Sequence, residues 1–113
     1  MNDNQYPWCL LVPERENILE IYELSQQDQQ QLLTESSLLS SKMAEIYRAD
    51  KMNIAAIGNM VPQLHVHHIV RYRTDKAWPA PVWGHSNALP YDKKQIKAMA
   101  AQLREALNNA LID

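Results

Sequence analysis

A chain of 113 residues, 46% of them hydrophobic and 21% charged, has the length of one globular domain and enough apolar content for a core without disulfide or metal staples. Eleven Lys and Arg against thirteen Asp and Glu leave a formal net charge of −2, which excludes the basic surplus that binding a polymeric nucleic acid requires. One cysteine, Cys9, excludes an internal disulfide and suits a reducing cytoplasm; there is no apolar run of about 18 residues to cross a bilayer, and Met1-Asn2-Asp3-Asn4-Gln5 lacks the basic-then-apolar order of a signal peptide.

In chain order, Trp8-Cys9-Leu10-Leu11-Val12 reads as a short buried strand bracketed by Pro7 and Pro13, because proline is poorly tolerated inside a paired strand. Residues 13–17 form a polar turn, and Ile18 to Leu24 a semi-apolar linker. Ser25-Gln26-Gln27-Asp28 has the form of a capping box and opens a long helix that should stop near Ala49-Asp50. Leu32, Leu39, Met43 and Ile46 recur at helical spacing and make its apolar stripe.

Met52 to Ile57 is a second strand, whose nearly continuous apolar run predicts a central position. Gly58-Asn59-Met60-Val61-Pro62 then turns the chain into a third strand, expected to start at Gln63 and to lie antiparallel to the second. Beyond it, Arg73-Thr74-Asp75-Lys76 is polar. Ala77-Trp78-Pro79-Ala80-Pro81-Val82-Trp83-Gly84 is a stiff aromatic loop, either a flap over a sheet edge or a wall of a ligand pocket. Asp92-Lys93-Lys94-Gln95 resembles another helix start, and Ile96, Met99, Leu103 and Leu107 give a closing helix its stripe. The expected fold class is α+β: an antiparallel sheet with the long helix on one face and the C-terminal helix near its edge.

The chemistry concentrates in Gln63-Leu64-His65-Val66-His67-His68-Ile69-Val70-Arg71, which holds three of the four histidines. Alternation along a strand puts Gln63, His65, His67, Ile69 and Arg71 on one face and Leu64, Val66, His68, Val70 and Tyr72 on the other. A neutral imidazole, with an ordinary pKa of about 6.5, is a competent nucleophile near neutrality. Two rival readings stand beside catalysis. The histidines could be structural, or His65, His67 and His85 could hold a metal; against the latter, no Cys-x-x-Cys or His-Glu-x-x-His pattern completes a ligand set.

The segment from Gln63 to Ile69 resembles the signature of the histidine triad (HIT) family: His, apolar, His, apolar, His, then two apolar residues. Aligned on Arg71, Gln63 occupies the first histidine position, His65 the second and His67 the third. Gly58-Asn59-Met60-Val61 is similar to the family's glycine-rich turn, Leu10-Leu11-Val12-Pro13 to its strand ending in proline, and Ala77 to Gly84 to a tail found in a bacterial subgroup that also tolerates glutamine at the first triad position. A second departure is His68, where a small apolar residue is usual; its parity points it to the packed face as a buried, hydrogen-bonded side chain.

The resemblance implies a hydrolase or transferase acting at the α-phosphate of a nucleotide conjugate through a covalent nucleotidyl-histidine on His65, with His67 assisting, Gln63 and Asn59 binding phosphate, Asn2 or Asp3 gripping the ribose, and neither metal nor cofactor. A terminus without any role is the other reading of Asn2 and Asp3. It further implies a small-molecule nucleotide substrate, a homodimer, and a single HIT-like domain, on one reading without the N-terminal edge strand or hairpin. The alternative function is a non-catalytic nucleotide-binding module.

Overall fold

The computed structural model describes residues 6–84. Asn2, Asp3, His85 and the closing helix expected from Asp92 lie outside the described residues. Within them, strand β1 (Trp8–Leu11), helix α1 (Gln26–Tyr47), strand β2 (Lys51–Ala55) and strand β3 (Val66–Arg71) follow one another, with a short 3-10 turn at Ile21–Glu23 before the helix. The three strands form one antiparallel sheet in the order β1-β3-β2, so the fold is α+β. No helix among the described residues is long and apolar enough to cross a membrane.

Helix α1 starts where the serine places it. Ser25 has extended backbone and its Oγ accepts the Asp28 N–H at 3.0 Å, which satisfies one orphan donor and is worth about 1 kcal/mol. The expected reciprocal half of the box is absent, because the Asp28 carboxylate instead takes two N–H groups of Arg15 at 2.8 and 3.1 Å. At the other end Arg48 adopts a left-handed conformation (φ 51°) and its backbone N–H donates to the Ala44 carbonyl, so the helix ends at Tyr47. Leu39 and Met43 pack on Val70, with Ile46 at the margin, while Leu32 packs with Leu24, Leu64 and Val66.

Strand β3, not β2, is central. Its residues Val66 to Arg71 are all buried, whereas β2 pairs on one side only among the described residues and leaves Ile54 51% exposed. Among the described residues the apolar run of β2 therefore marks a sheet edge, and the strand ends at Ala55, two residues before Ile57. Strand β3 also starts three residues later than expected. Pro62 has no N–H to donate, the Gln63 N–H turns back to the Val61 carbonyl, and the Leu64 N–H goes to Ile18, so no ladder forms before Val66.

The sheet separates two environments. Val66, His68 and Val70 face α1. His67, Ile69 and Arg71 face the other way, under the 72–84 segment, where Tyr6, Trp8, Ile69, Ala77 and Val82 form a cluster capped by Trp83. The loop thus lies across one face of the sheet rather than along its edge.

Candidate active site

His65 sits in the connection one residue before β3, and His67 is the second residue of the strand. The two rings meet edge to face with centroids 5.1 Å apart, on the same side of the sheet. His65 is half-buried and His67 is 3% exposed.

The hydrogen bonds assign the protons on all three rings. Nδ1 of His65 lies 2.7 Å from the Gln63 carbonyl, which can only accept; Nδ1 therefore carries a proton, and in the neutral ring Nε2 carries the free lone pair. Nδ1 of His67 accepts the indole N–H of Trp8 at 3.0 Å. His68 donates from Nδ1 to the Val66 carbonyl at 3.1 Å, and its Nε2 accepts from the Ser36 hydroxyl at 2.7 Å. With 0% exposure and both ring nitrogens satisfied, His68 is a core histidine.

Burial, and then the proximity of His65, push the His67 pKa down to about 4; burial also lowers that of His68, against the opposing pull of the Val66 carbonyl. Above about pH 6.5 both rings are neutral in the folded and unfolded chain and neither costs stability. Below it the unfolded chain binds protons that the fold refuses, so stability falls as pH drops, by up to about 1.4 kcal/mol per pH unit for each such ring, until the folded pKa is reached. Urea midpoints are expected to fall steadily from pH 7 to pH 5; a flat profile over that window would show that His67 and His68 titrate freely.

Gln63 is held by a bond from its Nε2 to the Arg15 carbonyl at 3.1 Å, so one of its two amide hydrogens is taken and the second is the one left to a ligand. Its contribution to the imidazole pair is its carbonyl. Asn59 is exposed, one residue beyond Gly58, which lines a small recess together with His65, Leu64 and Ile57. Gly58 has φ 64°, the left-handed conformation that the turn into this recess requires.

Arg71 shares the face of His67 but is 1% exposed and makes four side-chain hydrogen bonds: Nε and Nη2 to Asp75 at 2.8 and 3.0 Å, Nη1 to Asn53 at 2.7 Å, and Nη2 also to the Ala80 carbonyl at 2.8 Å. It anchors the loop and is not part of the site. Trp83, from the loop read as either a flap or a pocket wall, joins it, and so does Trp8, which the sequence did not single out. Trp83 stands edge-on to His67 at 5.1 Å and to Trp8 at 5.4 Å. The only hint of this in the sequence was a pair of tryptophans in a proline-rich stretch; β1 carried no signal that its indole would reach an imidazole 59 residues away.

Among the described residues no group of three or more His, Cys, Asp or Glu side chains is placed to hold a metal ion, and His85 lies outside them. The arrangement provides a nucleophilic nitrogen beside a buried, neutral imidazole.

The HIT domain family model matches residues 1–74. A histidine triad protein from Marinobacter aquaeolei VT8 is similar at 55% identity with a TM-score of 0.91, over 96% of this chain and 80% of that one. A histidine triad (HIT) protein from Sinorhizobium meliloti 1021 matches at 42% identity and TM-score 0.90, over 94% and 78% of the two chains. A histidine triad protein from Bradyrhizobium japonicum does so at 47% and 0.89, over 94% and 79%. No curated protein matches the chain.

Proposed function

The chain belongs to the histidine triad (HIT) family, and from that premise we propose that it is a nucleotide-conjugate hydrolase that works through a covalent nucleotidyl-histidine on His65. Substrates of the dinucleoside polyphosphate or nucleoside phosphoramidate type fit this reading. The observation that carries it is the bond from Nδ1 of His65 to the Gln63 carbonyl, which directs the lone pair of the neutral, half-buried ring to Nε2.

In the first step the Nε2 lone pair forms an N–P bond to the α-phosphorus, and the bond from phosphorus to the leaving group breaks, its electron pair departing with that group. The ring then carries a positive charge, and its Nδ1–H bond to the carbonyl becomes charge-assisted, roughly twice as strong as a neutral bond. A contact that strengthens as the reaction proceeds lowers the barrier rather than merely aiding binding. In the second step a water oxygen attacks phosphorus, the N–P electron pair returns to Nε2, and the nucleoside monophosphate leaves while the water's proton passes to solvent. Splitting one displacement into two eases both.

His67, neutral at physiological pH, is assigned as a hydrogen-bond donor to the phosphoryl oxygens, with the second amide hydrogen of Gln63 and the side chain of Asn59 as further donors. Losing one well-placed donor of this kind raises a barrier by about 2.7–4 kcal/mol. Asn2 and Asp3 remain the candidates for the ribose hydroxyls. Phosphoryl-type transfer can rest on positioning and hydrogen bonds, so full activity after chelator treatment is the expected behaviour.

Incubation with a panel of such conjugates tests the reading: release of the nucleoside monophosphate supports it. Binding of AMP or GMP by calorimetry with no turnover of any conjugate would make the protein a nucleotide-binding module instead, a reading that the glutamine at position 63 favours.

A homodimer belongs to the same proposal. In its support, the outer edge of β2 has no partner among the described residues, and beside it Ile21, Leu32, Leu33, Ile54 and Val66 line an apolar groove of about 640 Å³. Unpaired edges next to exposed apolar side chains invite a second chain. Sedimentation at micromolar concentration is expected to give the dimer mass, and Ile54→Glu the monomer mass; a monomeric wild type would refute it.

A further inference from the structure

We propose that Trp8 is a positioning residue: its indole N–H, donated to Nδ1 of His67, locks that ring in the neutral Nε2–H tautomer and so makes His67 a hydrogen-bond donor rather than a proton-transfer group. The inference rests on the reading of His67 as a donor in the site.

An indole nitrogen can only donate, so the ring atom that meets it at 3.0 Å must be bare. If His67 carried its proton on Nδ1, two N–H groups would face each other where the imidazole is 3% exposed and water cannot intervene. The same conflict opposes the imidazolium, which has a proton on both nitrogens. The neutral ring with its proton on Nε2 is the one form free of it, and Nε2–H is then available to an anion.

The indole itself cannot turn away. Trp8 is 6% exposed and packed among Tyr6, Ile69, Ala77 and Val82, and Trp83 contacts the edges of both rings. Around the His67 ring, the titratable neighbours are His65 on the same face and His68, next along the strand and turned to α1. Among the described residues, the groups that other elements bring to it are uncharged: Trp8 and, in register with His67, Leu10 from β1, Ala55 from β2, and Trp83 from the 72–84 segment. No carboxylate among them favours the charged ring, in keeping with the low pKa of about 4.

Removing the partner that orients a metal-bound histidine typically costs ten- to a hundredfold in function, and a loss of that order is expected for an oriented donor here. Trp8→Phe keeps an aromatic ring in the cluster but loses the pyrrole half of the indole with its N–H. Nitrogen-15 NMR of the full chain is expected to show wild-type His67 with a pyrrole-like Nε2 and a pyridine-like Nδ1, unchanged from neutrality down to about pH 5. In Trp8→Phe the two tautomers should mix, the ring should titrate about one unit higher, and kcat should fall about tenfold or more while KM stays within about threefold.

A proton on Nδ1 in the wild type overturns the proposal, as does an unchanged tautomer and titration in the variant. Should Trp8→Phe fail to fold, the wild-type spectrum decides alone. The NMR readout is also independent of turnover: the expected tautomer without hydrolysis of any conjugate would sink the enzymatic reading and leave the locked ring standing as a feature of a binding site.

Discussion

Replacing His65 by Ala is expected to abolish turnover while leaving the fold intact. In a serine protease, removing the covalent nucleophile costs on the order of a millionfold in kcat, and under the proposed mechanism a loss of that order, in practice below detection, is expected here. The structural cost is small by comparison. The half-buried ring makes one hydrogen bond, to the Gln63 carbonyl, and one edge contact with His67. A neutral bond of that kind is worth about 1 kcal/mol. Activity and the unfolding midpoint should therefore separate cleanly, the first lost and the second nearly unmoved. A wild-type sample quenched in alkali during turnover should carry one nucleotidyl group on the peptide containing His65, since a phosphorus–nitrogen bond to imidazole survives base and not acid. Wild-type rates in His65→Ala, or an adduct elsewhere, would remove the nucleophile from the mechanism.

The second large effect is on stability. Arg71→Leu is expected to destabilise the fold by about 3–5 kcal/mol, the usual consequence of stripping one partner from a buried pair. Arg71 and Asp75 are 1% and 5% exposed, and their forked contact is joined by the Tyr72 and Trp78 N–H groups, which both donate to the Asp75 carboxylate. Without the guanidinium that carboxylate keeps its charge in a site that water barely reaches, and the Ala80 carbonyl and the Asn53 amide lose their donor as well.

Against a total of about 5–15 kcal/mol for a domain of this size, such a loss brings unfolding near the working temperature. Arg71→Lys should recover only part of it, because an ammonium cannot reproduce two parallel N–H bonds. Burial pulls the Asp75 pKa up, but the Arg71, Tyr72 and Trp78 contacts together outweigh it and hold the value below the ordinary carboxylate range. This contribution is thus complete above about pH 4 and is lost as the pH falls through the lower, folded value. A penalty under about 1 kcal/mol in urea unfolding of Arg71→Leu would show that the pair is not what anchors the loop.

That loop is also what carries Trp83 onto His67, so the two effects meet in the structure. A variant that loosens the Arg71 cluster should disturb the aromatic wall of the site, visible as reduced near-ultraviolet dichroism before global unfolding.

How much of this was legible in the sequence differs from element to element. Helix α1 was, because a serine cap and a repeating stripe of Leu32, Leu39 and Met43 are local signals read over one or two turns. The inward turn of His68 was legible too, from strand parity alone, and the structure bears it out with the Ser36 bond. Beginning β3 at Gln63 was an error of the same local logic: alternation continues through Gln63 and Leu64, but their backbone N–H groups are taken by Val61 and Ile18 instead of a neighbouring strand. Reading β2 as central failed because an apolar run reports burial on two faces without saying whether protein or an open groove lies beside it.

By itself, then, the sequence determined the α+β class, the long capped helix, the pairing of β2 with β3, the family, and the residues that could carry the chemistry, since each of these is written in neighbouring residues or in their spacing. Only the tertiary structure decided the strand order, the burial of Arg71 against Asp75, and the meeting of Trp8 and Trp83 with His67. Those depend on which strands exchange hydrogen bonds and in what register: Trp8 sits opposite Ile69, and so within reach of His67, only because β1 pairs with β3 at that one offset. A shift of one residue would turn the indole to the helix side of the sheet, and nothing local to β1 forbids it.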